Sequence, residues 1–385
     1  MRILHTADWH VGKKLGRIDR SGETEAVLDE LVTVTRGADV DVVIVAGDLF
    51  DRSLPPFLSL KLVLESLVRL ADTGARVVAI PGNHDSPDLF GVLGPHLAHS
   101  GVTLVHRPLR PEDGGVVRVP ARDGGTSAQI ACFPFLHEAH VVDLVENEED
   151  RHKSYADRVR NICGRYASFM QGHGDGSTVD VLVGHFMIHG AVPSGSERQL
   201  HIGEAYMARE QAIPPQVHYA ALGHIHKPQP APGSETFARY SGSLMQLDFG
   251  DAGQTKGVVL AEVTPEGRRH IEEIPLTAGR ELMRVTDTLE GLRARAGDLA
   301  GAILHVRVLT DGPRPGLADE VRELLPDALY VGAEYERADE QRPSREGRDL
   351  ADLYGEFHHE RYGTGASPEL LEAFEELRAE AAATI

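Results

Sequence analysis

The chain has 385 residues, 41% of them hydrophobic, with 39 Lys+Arg against 59 Asp+Glu for a formal net charge of −20. These proportions exclude a largely disordered, collagen-like or fibrous protein, and no apolar run reaches the roughly 20 residues of a membrane span. The acidic balance excludes a protein that coats nucleic acid through overall basicity, but not one that acts on it through a local site or a bound cation.

The opening residues, MRILHTADWH, lack the basic stretch and long apolar segment of a secretory signal. Cys132 and Cys163 lie outside any C-x-x-C pair, which points away from a disulfide scaffold and towards a cytoplasmic protein.

In chain order, strand-like apolar runs end in turn-forming residues. Arg2–Ala7 precedes Asp8-Trp9-His10, Val40–Ala46 precedes Gly47-Asp48, and Arg76–Ile80 precedes Pro81-Gly82-Asn83-His84-Asp85. Val179–Val183 runs into Gly184-His185, and Tyr219–Leu222 into Gly223-His224-Ile225-His226. Glu23–Thr35, Leu58–Asp72 and Asn147–Met170 have helical spacing, so the alternation predicts a layered α/β domain with parallel crossovers.

From Phe237 closely spaced strands (Phe237–Tyr240, Gly257–Val263, Arg268–Pro275) read as antiparallel pairs. The predicted division is a first domain at 1–278, a small α/β domain at 279–336, a charged linker at 337–348 and a helical tail at 349–385. An apolar stripe of Leu370, Leu371, Phe374 and Leu377 marks the tail as a partner-docking segment.

Seven candidate metal ligands thus fall at the C-terminal ends of five strand-like runs: Asp8, His10, Asp48, Asn83, His185, His224 and His226. Ligands of open α/β sheets bind in the crevice beyond the carboxyl ends of the strands, so these residues are expected to meet at one sheet edge. A single histidine or aspartate is ordinarily a core residue, a surface residue or a helix cap. Five strand ends carrying only such groups have no structural explanation of that kind. Carboxylate, imidazole and amide oxygen suit Mn²⁺, Fe or Zn, and seven donors suffice for two ions bridged by one carboxylate, for which Asp48 is the natural choice. Gly47, Gly82, Gly184 and Gly223 stand where a Cβ would crowd the turn.

The motifs D-x-H, G-D, G-N-H-D, G-H and G-H-x-H, in this order over residues 8 to 226, resemble the calcineurin-like metallophosphoesterase superfamily. HTADWHVGKKLGR, AGDLFDRSLPP, IPGNHDSP, YAALGHIHKPQ and YSGSLMQLDFGD narrow the resemblance to the nuclease subunits of double-strand-break repair. The resemblance implies β-sheets flanked by helices, a small C-terminal α/β capping domain that contacts DNA, and two divalent ions, usually Mn²⁺. One ion would lie among Asp8, His10, Asp48 and His226, the other among Asp48, Asn83, His185 and His224. His84 would act on the scissile phosphate with Asp85 orienting it. Some relatives carry a catalytic histidine where Asp51 stands here, so Asp51 receives no catalytic role.

The implied activity is 3′–5′ exonuclease action on duplex ends and endonuclease action on hairpins and single strands, in repair and recombination. The implied partners are an ATPase subunit and a second copy of the chain, within a heterotetramer and without a membrane. Helices at Leu54–Val68 and Asp88–His99 are candidates for the homodimer contact. Lys13, Lys14 and Arg17 are candidate phosphate contacts, with a solvated basic loop as the equal alternative. A small-substrate phosphodiesterase or phosphatase of the same superfamily is the alternative activity; the extra domain and tail argue for the nuclease.

Overall fold

The computed structural model describes residues 1–136, 154–197, 206–335, 349–362 and 365–383. β1 (Arg2–Thr6), β2 (Val42–Ala46), β3 (Arg76–Ile80) and β4 (Val102–Leu104) run parallel, with α1 (Ser21–Gly37), α2 (Phe57–Ala71) and α3 (Pro87–Leu97) between them. A second sheet follows, built from β5 (Val116–Pro120), β6 (Ser127–Phe133), β7 (Thr178–His185), β8 (Tyr219–Gly223), β9 (Gln229–Pro230) and β10 (Ala238–Tyr240). α4 (Tyr155–His173) joins β6 to β7; the earlier residues of the expected Asn147–Met170 helix, 147–153, lie outside the described residues. β11 (Gly257–Val263) and β12 (Arg269–Pro275) return to the first sheet in antiparallel register. The two orders are β12-β11-β1-β2-β3-β4 and β9-β10-β8-β7-β6-β5.

The two-residue period of the strands builds the layers. In β2, Val42, Ile44 and Ala46 join Ile3, Val78, Ile130, Val181, Val183 and Tyr219 in a core between the sheets. Val43 and Val45 face the other way and pack on Leu28 and Leu31 of α1 and Leu67 and Leu70 of α2. On the second sheet, Leu182, Ala220 and Leu222 meet Val159, Tyr166 and Met170 of α4. The result is a helix–sheet–sheet–helix sandwich.

This corrects the expectation of one sheet edge, because two sheets deliver the strand ends. Phe237–Tyr240 is corrected too: β10 pairs parallel with β8, and its antiparallel neighbour is the two-residue β9.

The small α/β segment comprises β13 (Leu282–Asp287), α5 (Leu289–Ala294), β14 (Ile303–Leu309), α6 (Leu317–Leu324) and β15 (Ala328–Glu334), in sheet order β13-β14-β15. One sheet face buries Val285, Leu304, Val306 and Val308 under Leu292, Leu317 and Val321. On the other, Leu282, Ile303 and Leu329 close on Leu15 and Phe249.

The chain divides into two compact units, Met1–Leu309 with Pro315–Gly332, and Thr310–Arg314 with Ala333–Ile385. Most of the small α/β segment therefore shares a unit with the sheets. The expected linker at 337–348 lies outside the described residues. In the second unit the tail forms two helices, α7 (Leu350–Tyr362) and α8 (Pro368–Ala383), with the rings of Tyr354 and Phe374 stacked at 4.4 Å.

Candidate metal centre

The five strands β1, β2, β3, β7 and β8 end at one edge of the sandwich, and the loops that follow are tied to one another by backbone bonds. Asp8 N–H donates to Gly47 O, His10 N–H to Asp48 O and Val11 N–H to Leu49 O, each at 3.0 Å. Trp9, the only tryptophan, turns into the helix-side core and donates to Thr6 Oγ1 at 2.9 Å, which anchors the turn between Asp8 and His10. The sheets are joined at the same edge by His185 Nδ1 with Ala46 O, 2.7 Å apart.

Among the described residues, five non-glycines have left-handed backbone: Asp8 (φ 53°), His10 (47°), Asp39 (48°), Asp48 (53°) and His224 (92°). Four of these are expected ligands. Left-handed backbone costs a non-glycine residue of order 1 kcal/mol or more and persists where surrounding structure imposes it, commonly at functional sites. Gly82 is required for a different reason. A Cβ there would run into the carboxylate and amide of Asp48.

All seven expected ligands are buried and meet around Asp48. Asp48 Oδ2 lies 3.6 Å from His10 Nε2, 3.5 Å from His185 Nε2 and 3.9 Å from His84 Nε2, too far for direct hydrogen bonds. His10 Nε2 and His226 Nε2 are 3.0 Å apart, a separation at which two imidazole nitrogens share either a proton or a cation. On the other side, Asn83 Oδ1 sits 2.8 Å from His224 Nδ1 and 3.1 Å from His185 Nε2. Donor atoms of Asp8, His10 and His226, of His10, Asp48 and His84, and of Asp8, Asp48 and His185 each lie mutually within 4.8 Å. Asp8 therefore reaches both halves of the cluster, which the expected division of ligands did not include.

The electrostatics fit a cation centre. Burial pushes the Asp8 carboxyl up to about 8, against the opposing field of His185. Burial acts on Asp48 in the same sense, but the fields of His185 and His84 prevail and hold it well below the usual carboxylate range. Burial would lower His185, yet Asp48 beside it raises that imidazole to about 9. His10 and His226 are driven well below the ordinary histidine value by burial, which leaves neutral rings with lone pairs to offer. Buried nitrogen and oxygen donors without thiolate suit divalent ions, and His10 Nδ1 is a buried polar atom with no hydrogen-bond partner among the described residues.

His84 is oriented differently from expectation. Its Nδ1 is 2.8 Å from the carbonyl of Asp51, and its backbone N–H donates to Asp48 Oδ1 at 2.8 Å. Asp85 does not orient the imidazole. Its carboxylate accepts from the backbone N–H groups of Leu49 (3.1 Å), Phe50 (2.9 Å) and Gly82 (2.9 Å), and so ties the β2 and β3 turns together. Burial, with Asp48 nearby, pushes Asp85 up to about 7. The Asp51 carboxylate pairs with Lys13 at 3.9 Å, so Lys13 stands beside the centre, while Lys14 and Arg17 are exposed.

Residues 1–228 match the calcineurin-like phosphoesterase family. The D subunit of the nuclease SbcCD from Escherichia coli (strain K12) is 32% identical over 289 residues, spanning 72% of this chain and 69% of that protein. The chain belongs to the calcineurin-like phosphoesterase family, with the SbcCD D subunits as relatives. The phosphoesterase is 29% identical to the corresponding SbcCD chain of Bacillus subtilis (strain 168), over 98% of this chain and 97% of that one. For the Rhodobacter capsulatus counterpart the values are 28%, 89% and 89%. A solved dimetal phosphatase from Danio rerio superposes with a TM-score of 0.44 at 12% identity, over 72% of this chain and 96% of that one, too loosely to argue from. The phosphoesterase is a metal-dependent hydrolase, and no helix among its described residues is long and apolar enough to cross a membrane.

Two groups of site residues escaped sequence reasoning. The carbonyls of Ala46 and Asp51 hold His185 and His84. Ser196, Glu197, Asp251 and Lys256 surround His226.

Proposed function

We propose that this phosphoesterase is the nuclease component of an SbcCD-type complex, a two-ion phosphodiesterase that cleaves DNA in repair and recombination with an SbcC-type ATPase. The observation that carries the reading is the convergence of six nitrogen- and oxygen-bearing residues with Asp48 from five strand ends, in a chain similar to SbcCD D subunits over nearly its whole length. Mn²⁺ is the proposed ion, and the cytoplasm the proposed compartment. One ion is assigned to Asp8, His10, Asp48 and His226, and the other to Asp48, Asn83, His185 and His224.

When bound, two divalent ions neutralise the phosphodiester and activate water. The chain's own residues do the rest. Asp48, fixed by the N–H of His84, is shared by both halves of the site. With His84 Nδ1–H committed to the Asp51 carbonyl, any proton that His84 gives or takes at the reacting phosphate is carried on Nε2. Asp85 braces the turns that carry Asp48 and His84.

Contact with DNA is proposed through phosphates, by Lys13, Lys14 and Arg17 and, on the small α/β segment, by the exposed Arg307 of β14. Homodimerisation is proposed through the start of α2 and through α3, where Leu54, Phe57, Leu58 and Val92 are 85%, 89%, 82% and 65% exposed. The ATPase is proposed to dock on the tail through Leu370, Leu371, Phe374 and Leu377.

The test is to strip metal from the purified chain, restore Mn²⁺, and compare linear duplex, hairpin DNA and a small phosphodiester. Cleavage of both DNA substrates supports the reading. Turnover of the small ester alone would favour a small-substrate phosphodiesterase.

A further inference from the structure

His226 is held at more points than any packing role requires. Its backbone N–H donates to Glu197 Oε1 at 3.0 Å, and Glu197 also gathers the N–H groups of Ser194 (2.9 Å) and Gly195 (2.8 Å). Its carbonyl accepts from Lys256 Nζ at 2.7 Å and from Ser243 N–H at 3.1 Å. Its Nδ1 lies 2.5 Å from Ser196 Oγ, which is 3.4 Å from Asp251 Oδ2 and 2.9 Å from Ser194 Oγ. Asp251 and Lys256, 0% and 3% exposed in their side chains, complete the line as an ion pair at 3.0 Å.

A buried ion pair is a weak source of stability, because desolvating two charges offsets most of their attraction. A buried carboxylate linked through a hydroxyl to an imidazole has a clearer use. It fixes which ring nitrogen carries the proton and makes the other a better donor. Here Nδ1 faces the hydroxyl and Nε2 faces His10. His185, by contrast, has the Ala46 carbonyl on its Nδ1 as its sole partner there among the described residues.

We infer that Ser196 is a positioning residue, which, backed by the Asp251–Lys256 pair, holds His226 in the tautomer that presents Nε2 to the ion shared with Asp8 and His10. The inference rests on the two-ion reading and adds that the halves of the centre are supported unequally. Ser196 accepts the Nδ1–H of His226 and turns its own proton towards Asp251. Loss of the hydroxyl releases the ring to either tautomer and leaves the backbone bonds of His226 in place. The line enters the centre at His226, on the half that His226 shares with His10.

The experiment is a Mn²⁺ titration of the metal-stripped full chain, read as free ion by electron paramagnetic resonance, with the thermal midpoint of the metal-free protein recorded alongside. Ser196→Ala is expected to weaken one of two ions by about 10–100-fold, the cost typical of removing such an outer partner. The other ion and the midpoint should stay near wild type, and Ser196→Thr should restore the first ion. Asp251→Asn, which keeps the shape and removes the charge, should weaken the same ion. Equal weakening of both ions by Ser196→Ala, or two ions bound as in wild type, would overturn the inference while leaving the two-ion reading intact. A wild-type chain that binds fewer than two ions would overturn both.

Discussion

The metal edge buries its polar side chains, whereas the C-terminal helices leave apolar ones exposed. At the edge, every expected ligand is buried, placed by a strand end and tied to a neighbouring loop. In the tail, Leu370 and Leu377 remain 37% and 66% exposed, and the stacked rings of Tyr354 and Phe374 join the two helices. Only part of the expected docking stripe is therefore free. The contrast separates polar side chains that the fold buries from apolar ones that it leaves in solvent. Catalytic geometry needs preorganisation by rigid elements, whereas a docking segment needs exposed apolar area.

The comparison breaks most severely at Gly82. Gly82→Ala places a methyl group against the Asp48 carboxylate and should abolish ion binding in both halves, measured by elemental analysis of the desalted protein. Full occupancy in that variant would show that the turn has slack.

His84→Ala should come next. Cleavage of duplex DNA should fall by about 10²–10⁴-fold, the usual contribution of a proton-transferring residue, with both ions retained. Loss of an ion would make His84 a ligand, which its 3.9 Å approach to Asp48 makes a worthwhile check.

Removing residues after Arg348 tests the other region. The truncated chain should keep its Mn²⁺-dependent cleavage and lose co-purification with the ATPase. Undiminished co-purification would move the docking surface elsewhere.

The smallest effect concerns His5, as buried as the ligands but placed between the sheets, with Nδ1 on the Tyr219 hydroxyl at 2.9 Å. Burial lowers its pKa to about 3. The unfolded chain takes up a proton near pH 6.5 that the folded chain refuses, so the stabilising contribution is present above about pH 6.5 and is lost as pH falls towards 3. Between about pH 7.5 and 5 the loss should be about 2 kcal/mol in denaturant unfolding, and His5→Gln should flatten that slope. An unchanged slope would mean that the folded chain protonates His5.

Much of the site was legible because its chemistry sits in side chains at strand ends. G-D, G-N-H-D and G-H-x-H each pair a glycine, where the turn is tight, with a donor. The residues that orient those donors were less visible. His84 is held by a backbone carbonyl of Asp51, and carbonyls leave no trace in residue identity. Asp85 was expected beside His84 because it is adjacent in sequence, yet its carboxylate is consumed by three backbone N–H groups. Ser196 and Asp251 are 55 positions apart and meet only through the fold.

One strand of each sheet was hidden for a related reason. β4 of the first sheet has three residues, and β6 of the second (SAQIACF) carries alanines and the buried Gln129, which donates to Asp180, so neither reads as an apolar strand.

The central claim is that Asp48 joins two divalent ions within one chain. Its most direct test is to saturate the purified full-length protein with Mn²⁺, remove free ion by rapid desalting, and count the metal retained per polypeptide. The account expects two ions in the wild-type protein and none retained by Asp48→Ala. One ion or fewer in the wild-type protein, or two in the variant, would contradict it.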